Sequence, residues 1–181
     1  GLGGGSSDAA ATLVGLNHIW GLGLTDDDLS NMAACLGSDV PFFIRGGTAF
    51  VKGRGEVVRS LPYVPKLYLV LAVPNQKVHN KTATLYKSLD SRYFTSGQHT
   101  MELSDRLNKD DTRFNIQFTN AFEEVAYNVF RDLAKAKLIL LNAGLTSVHL
   151  SGTGPALFGC VDGIEEGNLV ARKCARDGLT A

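Results

Sequence analysis

The chain opens Gly1-Leu2-Gly3-Gly4-Gly5-Ser6-Ser7-Asp8, and Ala9-Ala10-Ala11-Thr12-Leu13-Val14 follows without a break. Four glycines in the first five residues let the backbone take positive φ angles and approach another molecule closely. The three alanines give strong helix propensity, and Leu13, Leu16 and Trp20 recur at helical spacing. Ser6 or Ser7 is expected to cap that helix, and Gly21 and Gly23 to stop it. A glycine loop feeding a helix N-terminus offers an anion unpaired N–H groups and the positive end of the helix dipole. The Ser6 and Ser7 hydroxyls add donors for phosphate or a place near a metal ion. No Gly-Lys-Ser/Thr follows, so this is not a P-loop. Ser6 also stands where a dinucleotide fingerprint has its third glycine. A flexible tag is the competing reading, and Asp8 with an apolar-striped helix directly after it argues against that.

Outward from the loop, Thr25 with Asp28 three residues on predicts a capped second helix that turns Leu29, Met32, Ala33 and Leu36 inward and ends at Gly37. Gly37 to Gly47 reads as a dense apolar turn segment with one acid, Asp39. Thr48–Lys52 and Glu56–Ser60, joined through Gly53-Arg54-Gly55, predict a hairpin. Pro62 and Pro65 bracket a linker. Beyond it, Leu67–Val73 predicts a strand, Lys81–Asp90 a helix, and Met101–Leu107 a short helix. Thr119 or Asn120 would cap one long helix with Phe122, Val125, Ala126, Val129, Leu133 and Ala136 on one face, ending at Gly144. Thr146–Leu150 and Ala156–Val161 predict strands either side of Ser151-Gly152-Thr153-Gly154-Pro155, and Glu165–Arg176 a last helix. The expectation is an α+β fold of two layers and two lobes, residues 1–62 and 66–181.

Three places concentrate chemistry: the opening loop, Asp39 and Ser151-Gly152-Thr153-Gly154. An acid between a Gly-Ser turn and Val40-Pro41-Phe42-Phe43 is expected in a partly apolar pocket, as a hydrogen-bonded structural acid or a catalytic base. The second glycine turn either closes over a nucleotide or is a tight strand-to-strand turn. His18, His79, His99 and His149 show no metal-ligand spacing, and Asp26-Asp27-Asp28 complements a helix dipole. Cys35, Cys160 and Cys174 are widely spaced, form no disulfide framework, suit a reducing cytosol and read as small buried hydrophobes.

Eighteen basic residues balance eighteen acidic ones, so the totals give no footprint for nucleic acid or an anionic membrane. At 181 residues and 44% apolar the chain can bury its own core. Leu67–Val73 is far shorter than the roughly 20 apolar residues needed to span a bilayer.

Taken in order and spacing, Leu2–Ala10, Gly37-Ser38-Asp39-Val40-Pro41-Phe42-Phe43 and Ser151–Pro155 resemble the GHMP kinase superfamily. The Gly37–Phe43 segment, Leu69–Pro74, Thr82-Ala83-Thr84-Leu85-Tyr86 and Asn120–Glu123 are similar to its branch that acts on a cytidine diphosphate-linked methylerythritol. That resemblance implies a lobe like the C-terminal part of ribosomal protein S5 domain 2, joined to a ferredoxin-like lobe. It implies ATP and Mg²⁺, with the phosphates on Leu2, Gly3, Gly4, Gly5, Ser6 and Ser7, and the metal ion near Ser6 or Ser7. It makes Asp39 the catalytic acid that takes the substrate's hydroxyl proton. Thr82 and Tyr86 become substrate-side positions, the tyrosine against the cytosine, and Ser151, Gly152, Thr153 and Gly154 a cleft motif.

The loop has no preceding strand here and no initiator Met. The family's lysine partner of the acid and its aromatic–histidine grip on cytosine are therefore expected upstream of Gly1, and the 181 residues alone are expected to lack turnover. Ala121 departs from the pattern, standing where an acid is usual. A homoserine- or mevalonate-type kinase, or a non-catalytic metabolite sensor of the same fold, stays open as an alternative.

Overall fold

The computed structural model describes residues 1–64, 66–75, 80–109 and 116–181. Pro65 and His79 lie outside the described residues. Two compact units emerge, one of Gly3–Pro65 with His99–Phe114, the other of Gly1–Leu2, Lys66–Gln98 and Asn115–Ala181. The expected division placed the helix near Met101 with the residues after 66; it clusters instead with the first unit.

In that first unit α1 runs Gly4–Ile19, α2 Asp26–Leu36 and α3 Val40–Arg45. The start of α1 differs from expectation. Gly3 is the cap residue, at φ 67° and ψ 18°, and no side chain caps the helix. Only glycine enters that left-handed region without penalty, so the chain turns at Gly3 and Ser6 and Ser7 fall inside the first turn. The Ser7 hydroxyl donates back to the Gly4 carbonyl at 2.8 Å.

Helix α2 has the expected capping box. Asp28 N donates to Thr25 Oγ1 at 3.2 Å and Thr25 N to Asp28 Oδ2 at 2.9 Å. Asn17 ties the α1–α2 connection, donating to the Leu24 carbonyl and accepting from the Leu24 N–H, both at 3.0 Å. The expected turn segment holds α3, with Pro41 in its first turn, where a missing N–H costs nothing. Ala10, Ala33 and Val40 form the core of these helices, flanked by Leu13, Phe43 and Ile44.

The hairpin pairs β1 (Thr48–Lys52) with β2 (Val57–Leu61), one residue later than expected. Glu56 belongs to the turn, its carboxylate accepting from Arg54 N at 2.6 Å.

The second unit is built on an antiparallel sheet of order β3-β5-β4, with β3 Tyr68–Ala72, β4 His149–Leu150 and β5 Leu157–Val161. Helices α4 (Lys81–Ser88), α6 (Phe122–Val129), α7 (Leu133–Ala143) and α8 (Ile164–Arg176) complete it; α5 (Gln98–Asn108) lies between α4 and α6 in the chain. The expected single long helix is therefore two. Phe130 leaves helical geometry at φ −106° and ψ 101° and is 1% exposed, so the break drives its ring into the core. With no glycine or proline there, the apolar period runs straight through the break. Leu85, Val125, Leu133, Leu140, Leu157 and Val170 pack with Phe130 in one cluster. Of the cysteines expected to be buried, Cys174 is; Cys35 and Cys160 are exposed.

Candidate active site

In the first unit the glycines of the opening loop divide by cause. Gly3 is demanded by the fold: its φ is positive, and a Cβ there would stand 2.8 Å from Cζ of Phe43. Gly4 and Gly5 are helical, and a Cβ on either would meet nothing within 4 Å. Alanine would suit the helix better at both, so packing gives no reason for glycine there. What their bareness leaves is open space over the first turn of α1. The first backbone bond of that turn is donated by Ser7 N to the Gly3 carbonyl at 2.9 Å. The N–H groups of Gly4, Gly5 and Ser6 precede it and lack an intrahelical acceptor. No acid sits in this turn, whereas α2, α6 and α8 each carry acids in theirs. An uncapped, unneutralised helix start with room above it suits a phosphate.

Asp39 stands in the same unit, at the residue before α3, and α3 meets the loop through Phe43 and Gly3. The expectation of a partly apolar pocket is corrected: Asp39 is exposed, and Val40 and Pro41 take the burial. Its carboxylate does not cap α3 and makes no ion pair among the described residues. A structural acid would have a hydrogen-bond partner here, and the Asp39 carboxylate has none among the described residues.

The second glycine turn and α4 lie in the other unit. Gly152 and Gly154 have φ of 55° and 64°, and a Cβ on Gly154 would stand 2.7 Å from Cδ1 of Leu150. Gly154 N donates to the Ser151 carbonyl at 2.8 Å and Ser151 N to the Ala156 carbonyl at 2.9 Å. Asn120, expected as a helix cap, stands one residue before the cap position of α6, Ala121, and braces this turn: its Nδ2 donates to the carbonyls of Leu150 at 3.0 Å and Gly152 at 2.8 Å. Its Oδ1 accepts from Phe122 N at 2.9 Å. Lys81 Nζ donates to the Gly154 carbonyl, and the hydroxyls of Thr82 and Thr153 are 3.3 Å apart. Ser151 Oγ donates at 2.7 Å to the carbonyl of Gly1, which belongs to this same unit. Thr82 and Tyr86 are both exposed on α4, the tyrosine ring edge-on to Phe122 at 4.9 Å.

The bracing residues were missed because Asn120 and Lys81 lie thirty and seventy-three positions from the carbonyls they hold. An Asn-then-helix pattern announces a cap, and nothing in it announces a distant loop.

Among the described residues no group of three or more His, Cys, Asp or Glu could hold a metal ion. Ser6 and Ser7 carry the hydroxyls of the loop, Ser7 with its proton committed to Gly4. His149 packs between Phe118 and Phe158, at 5.2 and 5.7 Å. Among the described residues no helix is long and apolar enough to cross a membrane.

Residues 1–47 match the GHMP kinases N terminal domain. A 4-diphosphocytidyl-2-C-methyl-D-erythritol kinase of Dehalococcoides mccartyi is 45% identical over 162 residues, covering 87% of this chain and 56% of that protein. The chain thus spans about half the length of that relative. A crystal structure of a 4-(cytidine 5'-diphospho)-2C-methyl-D-erythritol kinase superposes with a TM-score of 0.78 at 29% identity, over 96% of this chain and 62% of the other. Homoserine kinase from Cytophaga hutchinsonii shares the fold, at a TM-score of 0.66 and 22% identity over 93% of this chain and 59% of the other. With this mixed helix-and-strand fold, the chain is similar to the GHMP kinases through its residues 1–47 and, over most of its length, to the 4-diphosphocytidyl-2-C-methyl-D-erythritol kinases.

Proposed function

We propose that this chain carries the phosphate-binding loop and the proton-accepting acid of a kinase that uses ATP to phosphorylate the 2-hydroxyl of 4-diphosphocytidyl-2-C-methyl-D-erythritol. The observation that carries the proposal is the bare first turn of α1, where Gly4 and Gly5 lack side chains without any packing reason. Phosphoryl transfer asks little covalent chemistry of a protein; positioning and charge stabilisation do most of the work. The N–H groups of Gly4, Gly5 and Ser6 hold phosphate oxygens. Asp39, exposed and uncommitted, accepts the hydroxyl proton as the new O–P bond forms and ADP departs with the electrons of the broken one. Mg²⁺, when bound, neutralises phosphate charge, and Ser6 or Ser7 would contribute an oxygen to it.

In the second unit we assign Thr82 and Tyr86 to the substrate. Tyr86 is 62% exposed, which leaves most of its ring free to stack on a base. Lys81 and Asn120 act on Ser151–Gly154 as positioning residues, by holding its carbonyls.

The test is ATP-dependent phosphoryl transfer in the gene product that contains this chain. Asp39→Asn is expected to lower kcat by about 10²–10⁴-fold, the usual contribution of a positioned base, with ATP binding retained. Turnover undiminished in Asp39→Asn would remove Asp39 from the role. Competition by CMP and none by homoserine is expected for this substrate, and the reverse would move the proposal to a homoserine-type kinase.

A further inference from the structure

The hairpin and α5 border an open cavity of ≈ 430 Å³ that none of the motifs above uses. Its lining follows from the pleat. Phe50 and Lys52 are two apart on β1 and so share a face, and the register sets Phe50 against Arg59 and Lys52 against Val57. From α5 come Met101, Ser104 and Asp105. Phe50, Val57 and Met101 make the walls apolar. Lys52 Nζ and the Arg59 guanidinium carbon stand 5.1 and 5.3 Å from the centre of the Phe50 ring, both within cation–π range.

Ser104 is the one buried polar residue among the described residues, at 2% exposure. Its hydroxyl accepts from Arg59 Nη2 at 2.8 Å. A guanidinium fixed by a buried hydroxyl and a ring face has little rotamer freedom left to lose on binding, which favours recognition. The ion pairs among the described residues are Arg45–Asp27, Arg92–Asp90 and Lys137–Glu123, so neither cation of the cavity has a carboxylate in a salt bridge. Among the described residues Asp105 is the one acid of the lining, against two cations. A purely structural role, Arg59 clipping α5 to the hairpin, accounts for the bond to Ser104. It does not account for a second cation over the same ring.

We propose that this cavity binds a small organic anion with a short apolar tail. The phosphate or carboxylate lies on Lys52 and Arg59, the tail against Phe50, Val57 and Met101. The volume falls in the range of small-molecule sites, and the mix of apolar wall with few fixed polar groups is what such sites share.

Titration of the ¹⁵N-labelled chain with hexyl phosphate, hexanoate, hexanol and inorganic phosphate, followed by amide NMR, tests this. Hexyl phosphate is expected to shift amides of β1, β2 and α5 and to bind about tenfold more tightly than hexanol or inorganic phosphate. The hexanoate arm separates a phosphate site from a carboxylate site. Lys52→Gln leaves the Arg59–Ser104 bond in place and is expected to weaken hexyl phosphate about fivefold. Arg59→Gln is expected to weaken it about tenfold, with thermal unfolding of the free variant reporting whether the fold is kept. Because Lys52 takes no part in that clip, its variant decides the matter should Arg59→Gln unfold. Hexanol binding as tightly as hexyl phosphate, shifts confined to Gly3–Ser7, or unchanged binding in Lys52→Gln would each overturn the proposal.

Discussion

At the scale of single residues, the glycines at the start of α1 make opposite predictions from one another. Gly4 and Gly5 are helical with open space around them, so Gly4→Ala and Gly5→Ala leave the fold intact. Each is expected to raise stability by up to about 0.5–1 kcal/mol, the ordinary preference of a helix for alanine, with less at its frayed end. Each is also expected to weaken ATP binding, because the new methyl occupies the space through which phosphate approaches the N–H groups. Gly3→Ala has the other sign for stability, since it strains a φ of 67° and presses on Phe43. Chemical denaturation and nucleotide binding measured side by side separate the three. If Gly4→Ala and Gly5→Ala bind ATP as the parent does, the first turn of α1 is not the phosphate site.

At the scale of elements, Asn120 is the residue whose loss should reach furthest. It joins the start of α6 to β4 and to the second glycine turn through three hydrogen bonds. Asn120→Ala is expected to cost about 1–3 kcal/mol, since it orphans the part-buried Leu150 carbonyl and Phe122 N–H, while water can replace the exposed bond to Gly152. Asn120→Asp keeps the acceptor for Phe122 N but places a carboxylate against two carbonyl oxygens, so it is expected to fare no better. Denaturation midpoints for the pair check this, and a harmless Asn120→Asp would show that the carbonyl bonds contribute little. Helix α2 carries a pH prediction. The Thr25 hydroxyl and N–H hold the Asp28 carboxyl below its ordinary value of 3.8. A depressed carboxyl contributes stability above its unfolded pKa and loses it as pH falls through the folded one. Thr25→Val should therefore flatten the acid limb of the stability profile below about pH 4. An unchanged acid limb would remove the capping box as its cause. These elements also show what was legible in the sequence. Helix α2 could be read in its bounds, because its cap and its Gly37 stop are local; of the four residues expected to face inward, Leu29 and Ala33 are buried, while Met32 and Leu36 are exposed. The start of α1 could not, since serine is the better cap on paper and only the fold shows Gly3 in left-handed geometry. The break at Phe130 has no glycine or proline to mark it. The loop and Asp39 were legible as motifs, but the freedom of the carboxylate and the bracing by Asn120 and Lys81 depend on partners far away in the chain.

At the scale of the whole molecule, the two units differ in how much apolar mass each buries. Ala10, Ala33 and Val40 are the heart of the α1–α3 cluster, two alanines and a valine. The other unit buries Phe130, Leu85, Leu133, Leu140 and Leu157 to 1% exposure or less. Burial stabilises by about 25 cal/mol per Å² of apolar surface, so small residues contribute little. Ile19 and Trp20, at the end of α1, are 75% and 64% exposed and add nothing to their unit's core. The expectation is uneven stability, with the slowest hydrogen exchange in α7, β5 and α8 and faster exchange in α1, α2 and the hairpin. Leu140→Ala, a fully buried site, is expected to cost about 2–5 kcal/mol. It should lower protection across α6, α7, α8, β3 and β5 while leaving α1–α3 near their parent rates. Saturating ATP should do the converse, slowing exchange in the first turns of α1 because a ligand stabilises the state that binds it. A uniform loss of protection in Leu140→Ala would mean that the two units open as one. Slowing by ATP that spares α1 would place the nucleotide elsewhere.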